Sequence, residues 1–389
     1  MPNLKPLVTL LHLSLTGWAI PAQALEMGGL EFTGSGFLTL AAGKIISGSN
    51  HDPGHGKGYD GPSITVDYAN NSTYEQGNGW DLAPNSKLGL QGTARLNERF
   101  ALTGQAVARG AHKGKINLEW LYADIKLGDE TALQVGRKRL PLFYYSETQD
   151  VGLTYPWAHL PQGLYGWEIV NYNGANLMWR DQWHNWSAQI NLFTGSETRE
   201  DNPFWEYYNG KNTRTDSRWP GIYGMELSLS KDWLDSRLVY ITSGIQNKAV
   251  SNGATTFQPS PTPRQHLYGL AVNADHENWV WRSELYYIDR READEEDTGY
   301  MFGLGYRWGA WLPMLTYTRY NQYLRAPTYA PNNAERYANL ALSLRWDLTH
   351  DQALKLQIER WLDHSLPGYR SSTPFAGANL VTLSYDTVF

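Results

Sequence analysis

The chain has 389 residues, 33 Lys+Arg against 39 Asp+Glu, a formal charge of −6 and no cysteine. Such a length needs no cross-links for stability, and the acidic balance excludes a nucleic-acid partner, because phosphate binding needs clustered Lys and Arg. A mean hydropathy of −0.51 excludes a helical membrane bundle, yet 17 Trp, 25 Tyr and 10 Phe suit a surface that is half lipid and half water.

The first element is a leader. Lys5 precedes an apolar run from Leu7 to Ile20, followed by Ala22-Gln23-Ala24. A basic start, a short apolar stretch and an A-x-A end read as a secretory signal peptide. The alternative, a membrane anchor, needs a longer run. Cleavage after Ala24 removes residues 1–24 with Lys5 and takes the formal charge to −7. An exported chain without cysteine has no disulfide framework and no thiol chemistry.

From residue 30 onward the dominant period is two. The pattern predicts strands over 31–45, 86–96, 100–109, 116–127, 131–137, 168–180, 186–194, 220–230, 236–244, 264–274, 279–289, 298–308, 311–322, 335–348, 352–363 and 377–389. In the seventh, Trp186, Ala188, Ile190 and Leu192 oppose Ser187, Gln189 and Asn191. In the fourteenth, Ala338, Leu340, Leu342, Leu344 and Trp346 oppose Asn339, Ala341, Ser343 and Arg345. One face is apolar and the other wet. A soluble sandwich or propeller also alternates in this way. Two features favour a membrane barrel instead. Apolar faces end in aromatics such as Trp308 and Trp346, as interface girdles do. Connections also alternate strictly, with seven short turns against eight long loops near 46–85, 110–115, 138–167, 195–219, 245–263, 290–297, 323–334 and 364–376. Fifteen such connections join sixteen strands. That even count returns both termini to the periplasmic side, and the closed sheet has no edge and room for an aqueous channel. The expected fold is therefore an all-β transmembrane antiparallel barrel over residues 25–389, with no second domain.

The chain resembles the general porins of Gram-negative outer membranes over essentially its whole mature length. Three elements carry the likeness. Gly34-Ser35-Gly36-Phe37-Leu38-Thr39-Leu40-Ala41-Ala42-Gly43 resembles a porin opening strand. Asn379 to Phe389 resembles the C-terminal insertion signal, with Val381, Leu383, Tyr385 and Phe389 on one face. The third is the 30-residue loop after the fifth strand, 138–167. The resemblance implies that this loop folds into the lumen as the constriction and that the barrel is a homotrimer in contact with outer-membrane lipid and lipopolysaccharide. The acidic Pro-Glu-Phe-Gly-Gly motif of enteric porins is missing.

Long loops without regular structure are commonly functional. Within 138–167, Pro141, Pro156 and Pro161 remove backbone donors and favour a rigid path outside the sheet. Leu142, Phe143, Tyr144 and Tyr145 are expected to pack on the inner wall, leaving Glu147 and Asp150 toward the lumen. Opposite charge comes from Arg109, Arg137, Arg139, Arg282 and Arg319, on polar faces or at loop entries. Acidic and basic groups across a narrow opening set a transverse field that selects ions and aligns dipolar solutes without a chemical step. Arg95, Arg180, Arg307 and Arg345 lie near periplasmic turns and are expected to line a vestibule. Ordinary paired lumen charges are the plain alternative throughout.

Other motifs are weak. His51-Asp52-Pro53-Gly54-His55-Gly56-Lys57-Gly58 fails the spacing of a phosphate loop, and His51, His55 and Asp60 form at best a loose metal set. Glu292 to Asp297 is an acidic run with the chemistry for a divalent-cation bridge to lipopolysaccharide, though a solvated loop is the default. The segment 201–219, with Arg214 and Arg218 among Trp and Tyr, suits sugar stacking, loop packing or a subunit latch equally. No cofactor and no metal is implied. The leading expectation is a water-filled porin for passive diffusion of small hydrophilic solutes and ions. The alternatives are a channel selective for anions, carboxylates or sugars and, last, an outer-membrane hydrolase, for which no Ser/His/Asp grouping falls on one rim.

Overall fold

A computed structural model describes residues 25–27, 30–49, 62–67, 72–209, 213–251, 254–256, 262–370 and 377–389. The proposed leader, residues 1–24, and the triplet His51, His55 and Asp60 lie outside the described residues. Sixteen barrel strands run through the rest. They are β1 (Leu30–Ser49), β2 (Lys87–Arg95), β3 (Phe100–Arg109), β4 (Ile116–Lys126), β5 (Thr131–Arg139), β6 (Asn171–Trp183), β7 (Trp186–Arg199), β8 (Arg214–Lys231), β9 (Leu234–Gly244), β10 (Arg264–His276), β11 (Trp279–Arg290), β12 (Glu295–Tyr306), β13 (Trp311–Leu324), β14 (Arg336–Asp347), β15 (Gln352–Asp363) and β16 (Gly377–Val388). Each pairs antiparallel with the next. β16 closes the cylinder on β1, from Phe37 opposite Val388 to Ser49 opposite Gly377. The terminal Phe389 completes the seam. Gly36 donates to its carbonyl at 2.7 Å and accepts from its amide at 2.9 Å. A Cβ at Gly36 would lie 2.3 Å from the Phe389 ring, so a larger residue there would displace that ring.

The alternating pattern translates into an inversion of ordinary burial. Leu40, Leu90, Leu102, Leu192, Leu238, Leu285, Leu304, Leu315, Leu342, Ile358 and Leu383 point outward and are exposed. On the inside, Gln105, Gln134, Asn176, Gln189, Asn191, Glu226, Glu284, Thr316, Asn339, Ser343, Gln357, Glu359 and Asp386 are buried. A belt of exposed leucine around the whole circumference far exceeds the apolar patches of soluble monomers and is matched by hydrocarbon. Aromatic rings mark the short-turn end. Trp311 stacks on Trp346 with centroids 4.9 Å apart, and Trp279 meets Tyr306 at 5.0 Å. Such rings suit the lipid–water boundary. Among the described residues no helix is long and apolar enough to cross a membrane.

Strand ends differ from the periodicity in places. β8 begins at Arg214 instead of 220 because Arg214 to Arg218 pair with Val250 to Gln246 of the loop strand Gln246–Ser251, an extension invisible to a two-residue alternation. β6 starts three residues late because 168–170 still belong to the inserted loop. The first long loop carries its own hairpin, Ser63–Asp67 with Ser72–Glu75.

Candidate functional site

The segment between β5 and β6 is the candidate site. Most residues from 140 to 172 are buried and none is exposed, although most of the segment lies outside regular structure. Two 3-10 turns, Ser146–Thr148 and Gly152–Thr154, and a short helix, Gln162–Tyr165, shape it. Its polar groups bond to inward-facing side chains on widely separated strands. The Tyr144 amide donates to Glu284 on β11 at 2.7 Å, and the Trp157 indole donates to Thr316 on β13 at 2.8 Å. Arg345 on β14 donates to the carbonyls of Leu153 and Tyr155, at 2.7 and 3.0 Å. Lys355 on β15 donates to the Gly152 carbonyl at 2.5 Å. The backbone at Gly152 lies so close to the wall that a Cβ would fall 1.8 Å from the Asp386 carboxylate. The expected aromatic docking is present. Phe143 packs on Tyr165 at 5.1 Å and on Tyr286 of β11 at 5.6 Å, and Tyr145 meets Trp157 edge-on at 5.9 Å. These rings stabilise the segment through apolar contact while wall side chains satisfy its backbone.

Both loop carboxylates are ion-paired. Glu147 bonds to Arg237 on β9 at 2.7 Å, and that guanidinium also holds Glu226 at 2.9 Å and the Phe143 and Tyr144 carbonyls. Asp150 takes two bonds of 2.7 Å from Arg109 and a further short one from Arg139, and Glu119 faces the same arginines at 2.6 and 3.1 Å. Burial alone would raise the Asp150 pKa, but Arg109, Arg139 and Lys87 together hold it well below the ordinary carboxylate range. Arg282 reaches the site through Tyr145, whose hydroxyl accepts from it at 3.0 Å, and it pairs with Asp275.

Two of the expected arginines are elsewhere. Arg137 bonds to Glu197 at 2.9 Å and lines a dent with Leu118, Leu121 and Val135, all outward-facing and exposed. Gly136, with φ of 142°, interrupts the regular pleat beside it. Arg319 shares its register with outward Leu315 and Tyr317, while Thr316, Thr318 and Tyr320 are buried, and it bonds to Asn321 at 3.1 Å. Arg345, expected in a vestibule, touches the loop. The partners that hold the loop, Glu119, Arg237, Lys355 and Glu359, were not singled out from the sequence.

One latch is titratable. His159 bonds to Glu359 at 2.8 Å through Nε2, and its Nδ1 lies 3.1 Å from the Leu160 carbonyl. Burial lowers its pKa, but the charge and hydrogen bond of Glu359 outweigh burial and the opposing Lys87, so the net shift is upward. A raised folded value means that the stabilisation is complete below the unfolded value of about 6.5 and is lost as pH rises through the folded value. His159→Gln is therefore expected to lower the unfolding temperature more at pH 6 than at pH 9. A loss of equal size at both would show that the contact is not ionic.

Comparison with known proteins gives a fold and no family. No protein-family model and no curated protein matches the chain. Among solved structures it is similar to OmpF of Salmonella typhi, in complex with daunomycin, at 11% identity and a TM-score of 0.56, covering 94% of this chain and 100% of that one. It is also similar to an anion-selective porin from Comamonas acidovorans (13% identity, TM-score 0.53, 92% and 100% covered). The outer membrane channel DcaP of Acinetobacter baumannii matches likewise (10%, 0.55, 94% and 99%). The architecture of this chain is that of a 16-stranded porin barrel.

Proposed function

We propose that the protein is a channel of the outer membrane, exported by residues 1–24, through which small hydrophilic solutes and ions diffuse passively. It acts without a chemical step, as a homotrimer surrounded by lipid and lipopolysaccharide. The observation that carries this reading is a polar, ion-paired interior inside an apolar cylinder, with one long loop fastened across it. The likeness in fold to an anion-selective porin and to an outer membrane channel supports it.

In this reading Arg109, Arg139, Arg282, Glu147 and Asp150 fix the loop that narrows the passage, from behind its surface, and Arg137 and Arg319 do not. Because Glu147 and Asp150 are neutralised by arginines, they shape the opening more than they attract cations. Glu147→Gln combined with Asp150→Asn is thus expected to move ion selectivity through a shift of the loop. Planar-bilayer recording of the folded protein tests the channel itself. Stepwise, ohmic current is expected, and its absence from folded protein defeats the reading. A substrate-selective channel is the second reading, favoured by one cavity beside the loop.

A further inference from the structure

That cavity lies between the lead-in to β2, the end of β3 and the inserted loop; it is open to solvent, and the atom-free space between its lining residues is about 520 Å³ with that open solvent included. Its charged lining residues are Lys87, Arg109 and His159, and no carboxylate borders it among the described residues. Asp150 and Glu119 are close by, turned to Arg109 and Arg139, and Asp150 also lies 4.0 Å from the Lys87 ammonium. Set against Lys87, Arg109 and Arg139, these two carboxylates leave one positive charge in excess. His159 with Glu359 adds nothing, since the pair is neutral overall.

Two lining amides add direction. Gln149 is 7% exposed, and its Nε2 has no hydrogen-bond partner; the Nδ2 of Asn85 is likewise buried and unpartnered. Both are donors, and a buried donor without an acceptor costs about 1–3 kcal/mol. Lys87 already reaches the rim, donating to the Gln149 carbonyl at 2.9 Å. Pro84, Ala158 and Leu160 make the rest of the wall apolar. An inorganic ion would fill the donor side alone and leave that wall facing water.

We propose that this cavity binds the carboxylate of a small organic acid. The two amides and the Lys87 ammonium donate to the carboxylate oxygens, Arg109 supplies field from behind, and the organic body lies against Pro84 and Leu160. The proposal rests on the channel reading for its biological sense, which it narrows to a channel with a preferred class of solute. Binding itself does not depend on conduction.

The test is calorimetric titration of the folded full-length protein in detergent with benzoate, and with benzamide as its uncharged counterpart. Saturable binding of benzoate, none of benzamide, and at least tenfold weaker benzoate binding in Gln149→Leu and in Asn85→Leu are expected. Gln149→Leu keeps the main-chain carbonyl that accepts from Lys87, and Asn85→Leu provides a second reading should the first variant fold poorly. Absence of benzoate binding, equal binding of benzamide, or unchanged affinity in both variants would overturn the site. Bilayer recording on the same preparation separates the two readings. Current without benzoate binding removes the site and keeps the channel, whereas benzoate binding without current keeps the site and removes the channel.

Discussion

Asp150→Ala is expected to destabilise the folded protein by about 3–5 kcal/mol, the usual cost of stripping one partner from a buried ion pair. Arg109, Arg139 and Glu119 are all nearly fully buried around it. Without Asp150 two guanidinium groups face each other with a single carboxylate between them, too deep for water to compensate. The sign of the pH dependence follows from the depressed pKa. Stabilisation by a carboxylate of lowered pKa is complete above the unfolded value of about 3.9 and is lost only as pH falls through the lower folded value. The cost should therefore be as large at pH 5 as at pH 7, in contrast to the His159 latch, which weakens on the alkaline side. Asp150→Asn, which keeps the shape and one acceptor, should lose less than Asp150→Ala. Thermal unfolding in detergent checks this. An Asp150→Ala protein that melts with the parent would mean that the loop is held by its aromatic contacts and its other wall bonds, with no net contribution from this cluster.

The difference between those two kinds of anchor also explains what the sequence reveals and what it conceals. Alternation is local, so all sixteen strands and both classes of connection are readable from it, and errors are confined to strand ends where a loop hairpin or the inserted loop intervenes. The aromatic cluster at 142–145 is readable for the same reason, since four bulky residues at the loop entry must be buried somewhere. Charge pairing is not local. Arg237 and Glu147 lie 90 positions apart and His159 and Glu359 lie 200 apart, and nothing in either neighbourhood announces the other. Arg345 illustrates the consequence. Its position next to a short turn suggested a vestibule, but the loop passes deep enough to place two carbonyls against it. Arg319 is a different case, because Pro313, Leu315 and Tyr317 already share its parity and point it outward. For Arg137 the pleat is disturbed by Gly136, a conformation that the residue type permits without revealing it.

Replacing residues 143–166 by a short glycine–serine linker is expected to raise the single-channel conductance several-fold while leaving the barrel folded. The strand ladder closes through β1 and β16 without help from this segment, so its hydrogen bonds survive the deletion. The lumen does not survive unchanged. Arg109, Arg237, Arg345 and Lys355 lose loop partners, although Glu119, Glu226, Asp347 and Asp386 remain beside them. Each cation thus keeps one counter-charge and gains water, a far smaller penalty than Asp150→Ala imposes in a dry interior. In the channel proposed above, resistance to ion flow is dominated by the narrowest part of the path, and the segment being removed, with the buried rings of Phe143, Tyr145, Tyr155, Trp157 and Tyr165, is the part that would narrow it. The comparison needs folded protein of both forms, recorded in the same salt. A linker variant that conducts no better than the parent would place the limiting passage away from the loop, and the charge pairs around Asp150 and Glu147 would then concern stability alone.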